Sequence, residues 1–140
     1  MYESIGITGT REGPTITQQA WLIDRLVELK KDGAIYLHHG DCVGVDEIAH
    51  CIAEELNYRI AVHPPLSNSH RAWCRGYIKW QSSPYLNRNR DIVNCSELLL
   101  ALPKGPPEFK GSGTWMTVRY AQSKKTPVEV CMPNGTIEVL

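Results

Sequence analysis

The chain has 140 residues, with 15 Lys plus Arg against 15 Asp plus Glu and a formal net charge of zero at pH 7. With 42% of its residues hydrophobic, it is long enough to bury one sizeable core. The charge balance argues against a dedicated nucleic-acid binder, whose footprint is usually basic, and no apolar run approaches the roughly 18 residues of a membrane span. The opening stretch, MYESIGITGT, has no basic n-region and no signal-like apolar core, so a cytoplasmic location is expected. The cysteines Cys42, Cys51, Cys74, Cys95 and Cys131 are odd in number and form no CxxC pair, so reduced thiols and no structural zinc are expected.

Residues 4–8 (SIGIT) read as a strand ending in Gly9. A loop over 10–15 leads to a helix over about 17–31, whose apolar Ala20, Ile23, Leu26, Val27 and Leu29 recur at helical spacing until Asp32-Gly33 stops it. A second strand over 34–38, a turn over 40–44 and a helix over about 45–56 follow, the helix carrying Ile48, Ala49, Ile52 and Ala53 on one face. A third strand spans 58–62, and a long polar segment runs over 63–85. A helix near 86–94 precedes the uncharged run Leu98, Leu99, Leu100, Ala101, Leu102, which reads as a buried strand within 97–102. After a glycine-rich turn come a helix over about 114–124, a strand over 128–131 and a candidate short strand over 136–139.

Alternating strands and helices imply right-handed crossovers, hence an α/β, three-layer α/β/α domain with a mainly parallel sheet of about five strands. No repeat, low-complexity tract or linker interrupts residues 1–140, which read as a single domain. Strand-to-helix turns then gather at the carboxyl edge of the sheet, where such folds bind ligands. Three glycine-bearing turns fall there.

The strongest is Gly111-Ser112-Gly113-Thr114, between the buried strand and a helix, because backbone N–H groups and a helix N-terminus there suit a phosphate. The first turn supplies Gly9, Thr10 and Arg11, whose hydroxyl and guanidinium suit phosphate oxygens. The second supplies Gly40, Asp41 and Asp46, candidates for ribose hydroxyls; a metal reading that also draws on His38, His39 and His50 is weaker, and no metal site and no bound cofactor are expected. Asn87, Arg88 and Arg90 open the helix before the buried strand and would approach the glycine turn. Between Leu56 and Arg90 there is no Asp or Glu, and Trp73, Tyr77, Trp80 and Tyr85 are interleaved with Arg and Lys, a mixture that suits phosphates and stacked bases.

The order of these motifs resembles the Rossmann-like SLOG superfamily, which contains the DNA-processing protein A (Smf) proteins and the Lonely Guy phosphoribohydrolases. Gly40-Asp41-Cys42-Val43-Gly44-Val45-Asp46 with Ala49-His50 is similar to the Smf Gly-x-Gly-x-Asp…Ala-His stretch, and Arg88-Asn89-Arg90 to their Arg-Asn-Arg segment. Gly111-Ser112-Gly113-Thr114 is similar to the phosphate turn of both groups. Lonely Guy enzymes carry a catalytic Glu two or three residues beyond this turn, where this chain has Trp115, Met116 and Thr117. The resemblance therefore implies nucleotide binding as a sensor or sequestering module. Two alternatives remain open: an N-glycosidic hydrolase using Glu12, Asp41 or Asp46, and a single-stranded DNA binder using the basic-aromatic segment. The resemblance and the aromatic content also imply a homodimer or larger assembly, with a nucleotide-like small molecule as the partner and nucleic acid the lesser candidate.

Overall fold

The computed structural model of the protein describes residues 1–107 and 112–140. In chain order the elements are β1 (Ser4–Gly9), α1 (Ile16–Lys31), β2 (Tyr36–His39), α2 (Val45–Glu55), β3 (Arg59–Val62), β4 (Ile78–Lys79), α3 (Tyr85–Asn94), β5 (Leu98–Leu102), α4 (Gly113–Ser123), β6 (Val128–Cys131) and β7 (Ile137–Val139). They form one sheet in the order β4-β3-β2-β1-β5-β6-β7, parallel throughout except for β7, which runs antiparallel to β6. The α/β, mainly parallel, Rossmann-like architecture is the expected one.

The sheet has seven strands rather than about five. The addition that periodicity could not show is β4, two residues inside the polar segment that pair with Ala61 and Val62. A run that short carries no alternation to detect. The other helices and strands lie within a residue or two of their expected bounds.

Hydrophobic alternation along β5 shows how the layers are built. Leu98, Leu100 and Leu102 enter one core with Ile5, Ile7, Leu22 and Leu26 and with Val45 and Ala49 of α2. Leu99 and Ala101 enter a second core with Val93 of α3 and Trp115 and Val118 of α4. Helices α1 and α2 therefore cover one face, and α3 and α4 the other. Right-handed crossovers require this split, because the chain steps from β1 to β2 to β3 in one direction and from β5 to β6 in the other. The reversal falls between β1 and β5, so a crevice opens beyond their carboxyl ends.

The N-terminus of α1 is fixed to the carboxyl ends of β5 and β6. Thr15 caps the helix in a reciprocal box with Gln18, and the buried Gln18 side chain donates to the carbonyls of Pro103 (2.9 Å) and Cys131 (2.8 Å). One expected outcome follows from the central strand. Leu100 is fully buried, so Leu100→Ala should lower the urea-measured unfolding free energy by about 2–5 kcal/mol; a loss under about 1 kcal/mol would contradict its place in the core.

Candidate functional site

A cleft of about 340 Å³ lies at the β1/β5 reversal. Of the residues singled out from sequence, it is lined by Gly9, Thr10, Arg11, Gly40, Asp46, Ser112, Gly113 and Thr114. Gly111 falls outside the described residues. Asp41, Asn87 and Arg90 do not line it.

Each of the last three has another place. Asp41 is fully buried, with its carboxylate accepting from Arg71 Nε (2.9 Å) and from the Cys74 backbone N–H (2.8 Å). It ties the loop after β3 to the end of β2 and offers nothing to a ligand. Asn87 is exposed on α3, and Arg90 is exposed with its guanidinium 5.3 Å from the Tyr120 ring centre. One helical step away, Arg88 and Asn89 take the positions at the cleft. The signal that separates Arg88 from Asn87 and Arg90 is helical spacing. Tyr85, Arg88 and Ile92 share one face of α3, and the apolar Ile92 marks that face as the buried one.

Arg88 forms the floor. It is 5% exposed. Its Nη1 donates to the Gly40 carbonyl, its second partner is the His63 carbonyl (3.3 Å), and its Nε donates to Asn89 Oδ1 (2.8 Å). Its Nη2 lies 3.8 Å from Cys42 Sγ. Gly40 makes this possible, because a Cβ there would sit 2.5 Å from Nη1. Among the described residues no carboxylate lies within 4.0 Å of the guanidinium. Its hydrogen bonds all go to neutral groups, with the Asp46 carboxyl acting on it from beyond ion-pair distance, which leaves a positive field toward the cleft.

Around this floor stand groups of both signs. Asp46 is buried, and its Oδ2 accepts from the N–H groups of Gly40 (3.2 Å) and Cys42 (3.3 Å). Burial pushes its carboxyl up to about 6, against the pull of Arg88 and those two N–H groups. Arg11 and Arg88 flank the Tyr85 ring at 5.0 and 5.3 Å. At the rim Lys104 Nζ bonds Glu12 Oε1 at 2.8 Å. The wall opposite β1 is the start of α4. Ser112 caps it by accepting from the Trp115 N–H (3.4 Å), and a Cβ on Gly113 would meet nothing within 4 Å. The first helical N–H groups have no intrahelical acceptor and carry the positive end of the dipole.

Gly9 serves packing. A Cβ there would sit 2.5 Å from Val45, whose N–H donates to the Thr10 carbonyl (3.1 Å) and so fixes α2 against the first turn. The basic-aromatic segment does not converge on the cleft either, apart from Tyr85 and Arg88. Trp73 lies under its own Arg71 (3.9 Å), Tyr77 under Arg59 (5.3 Å), and Trp80 stacks on His63 (4.5 Å).

Two buried histidine pairs flank β2 on opposite faces. His39 and His50 form one, with Nε2 to Nδ1 at 2.9 Å. The Asp41 N–H donates to His39 Nδ1 (3.0 Å), so His39 carries its proton on Nε2 and donates to His50. His38 Nδ1 and His63 Nε2 form the other, also at 2.9 Å. Burial lowers His38 to about 4 and His63 to about 3, and drives His39 well below its ordinary value.

No protein-family profile and no curated protein sequence matches the chain. Solved structures do match it in fold. The molybdenum cofactor binding protein from the phototrophic bacterium Rippkaea orientalis superposes with a TM-score of 0.71 at 24% identity, over 94% of this chain and 77% of that one. The Moco carrier protein from Chlamydomonas reinhardtii superposes at 0.65 and 22%, over 93% and 76%. The structural-genomics target TM1055 superposes at 0.67 and 15%, over 90% and 72%. At these identities the likeness is one of fold. Among the described residues no helix is long and apolar enough to cross a membrane.

Asp46 has a checkable pH signature. Its folded value near 6 exceeds the ordinary 3.8, so the folded state holds the extra proton between those values and stability falls as pH rises through that window. The depressed histidines act in the opposite sense, so the comparison must be with a variant. The unfolding free energy of the wild type minus that of Asp46→Asn should fall by about 2 kcal/mol between pH 4 and 6.5. A flat difference would contradict the burial assigned to this carboxyl.

Proposed function

We propose that the protein binds a phosphate-bearing, nucleotide-like small molecule in the cleft between β1 and β5 and holds it without turnover, as a sequestering or sensing module. The observation that carries this reading is that the buried guanidinium of Arg88, with no ion pair among the described residues, lines the same cleft as the N-terminus of α4. An anion between them neutralises the one and accepts hydrogen bonds from the other. Thr10 and Arg11 would add donors from the first turn. Asp46 would accept from the sugar or heterocycle, and Tyr85 would contact its ring. The two solved neighbours named for the molybdenum cofactor support this class of ligand, because that cofactor joins a heterocycle to a phosphate. It is the first candidate, ahead of nucleoside monophosphates.

Binding without turnover is preferred because the start of α4 brings no carboxylate. Trp115 is buried and donates its Nε1 to the Gly105 carbonyl (2.9 Å), and Thr117 donates to the Gly113 carbonyl (2.8 Å). One observation favours a second reading, N-glycosidic hydrolysis. Asp46, with its raised value, is the kind of carboxyl that general acid catalysis uses. Release of free base from nucleoside monophosphates would establish that reading, and its absence would leave binding alone.

Gly113→Val tests the site, because a Cβ there meets no atom of the described residues within 4 Å and Gly113 lines the cleft. Calorimetric titration with the molybdenum cofactor and with adenosine monophosphate should show affinity reduced by at least about 100-fold, roughly 2.7 kcal/mol, with the melting temperature unchanged. Undiminished binding would overturn the assignment.

A further inference from the structure

We propose that His38, His63 and Cys95 form a binding site for a zinc-class divalent cation on the face of the sheet covered by α3. The site is separate from the ligand cleft and does not depend on the reading given for it.

Among the described residues, one donor atom from each of these three side chains lies within 4.8 Å of the others. Two imidazoles and a thiolate suit zinc, and leave a fourth position open. A tetrahedral zinc ion holds such atoms roughly 3.3–3.8 Å apart, so every separation in the triad lies within about 1 Å of what ligation needs, and the hydrogen bond between the two imidazoles gives way to the ion. The elements that carry it are rigid. His38 lies in β2, His63 follows β3 directly, and Cys95 ends α3 with its N–H bonded to the Asp91 carbonyl.

The second observation is an unanswered polar atom. His63 is 1% exposed, and its Nδ1 has no hydrogen-bond partner. Its Nε2 meets His38 Nδ1 at 2.9 Å, so the pair leaves one buried nitrogen unsatisfied in either tautomer. The comparable triad across the sheet, His39, His50 and Cys74, shows the contrast. There the Asp41 N–H, His39 and His50 form a directed chain of hydrogen bonds that needs no ion.

The surroundings fit a metal held in a mostly apolar shell. Trp80 stacks on His63 at 4.5 Å and shields that side. Both imidazoles are neutral near pH 7, as ligation requires, so binding displaces one proton, from Cys95. The nearby charges are Arg88, which reaches the His63 carbonyl, and Asp91, which acts on Cys95 from the preceding turn.

The test uses the full chain and Co²⁺ as a spectroscopic probe, followed by Zn²⁺. One Co²⁺ per chain should bind with a thiolate-to-cobalt charge-transfer band in the near ultraviolet, and stoichiometric Zn²⁺ should bleach it. Cys95→Ser should abolish the band and weaken Zn²⁺ affinity by about 100-fold. His38→Gln provides a second lesion, and circular dichroism checks that each variant is folded. Cys74→Ser and Gly113→Val should leave the band intact. Absence of a stoichiometric band, its survival in folded Cys95→Ser, or its loss in Cys74→Ser would each overturn the proposal.

Discussion

The site depends on a single buried guanidinium. Arg88 reaches from α3 to the carbonyls at the ends of β2 and β3, and so ties the α3 layer to the carboxyl edge of the sheet. It fits only because Gly40 has no side chain. Its charge is met by carbonyls, an amide and a thiol rather than by a carboxylate. Removing such a group from water costs several kcal/mol unless the field is answered, and the open side of the arrangement is the cleft. The same charge restrains the rise of Asp46 and helps to keep His39 and His63 unprotonated. One cation therefore acts on both the cleft and two of the histidines behind it, where burial remains the larger cause.

The topology decides what faces this charge. Reversal of the strand order between β1 and β5 opens the crevice, and α4 starts at its edge. The glycines in the three turns then have three different jobs. Gly9 admits Val45 of α2, Gly40 admits Arg88, and Gly113 leaves space empty. All three line the cleft, and only at the third would a Cβ meet no atom of the described residues within 4 Å. A carboxylate at the start of α4 would turn this geometry toward glycosidic chemistry, whereas Trp115 and Thr117 are used to secure the turn and the helix.

Much of the fold is legible in the sequence because its signals are local and strong. The uncharged run over 98–102 declares a central strand, and helical spacing declares α1 and α2. The short β4 is not legible, since its two residues owe their conformation to β3 rather than to their own pattern. At the site the turns were legible but the division of labour was not. Asp41 looks like a ligand group in sequence and is consumed by Arg71 and Cys74, contacts about thirty positions away. Arg90 and Arg88 look alike in sequence, and only the apolar Ile92 four residues after Arg88 marks which one faces inward. The pairing of His38 with His63 depends on strand register and has no local signature.

The central claim is that the cleft holds a phosphate-bearing, nucleotide-like molecule. Its most direct test is mass spectrometry of the small molecules released on denaturing protein purified from cells. The account requires a phosphorylated heterocycle near one equivalent per chain from the wild-type protein and none from Gly113→Val purified alongside. Recovery of no such molecule from the wild type, or of equal amounts from both, would contradict it.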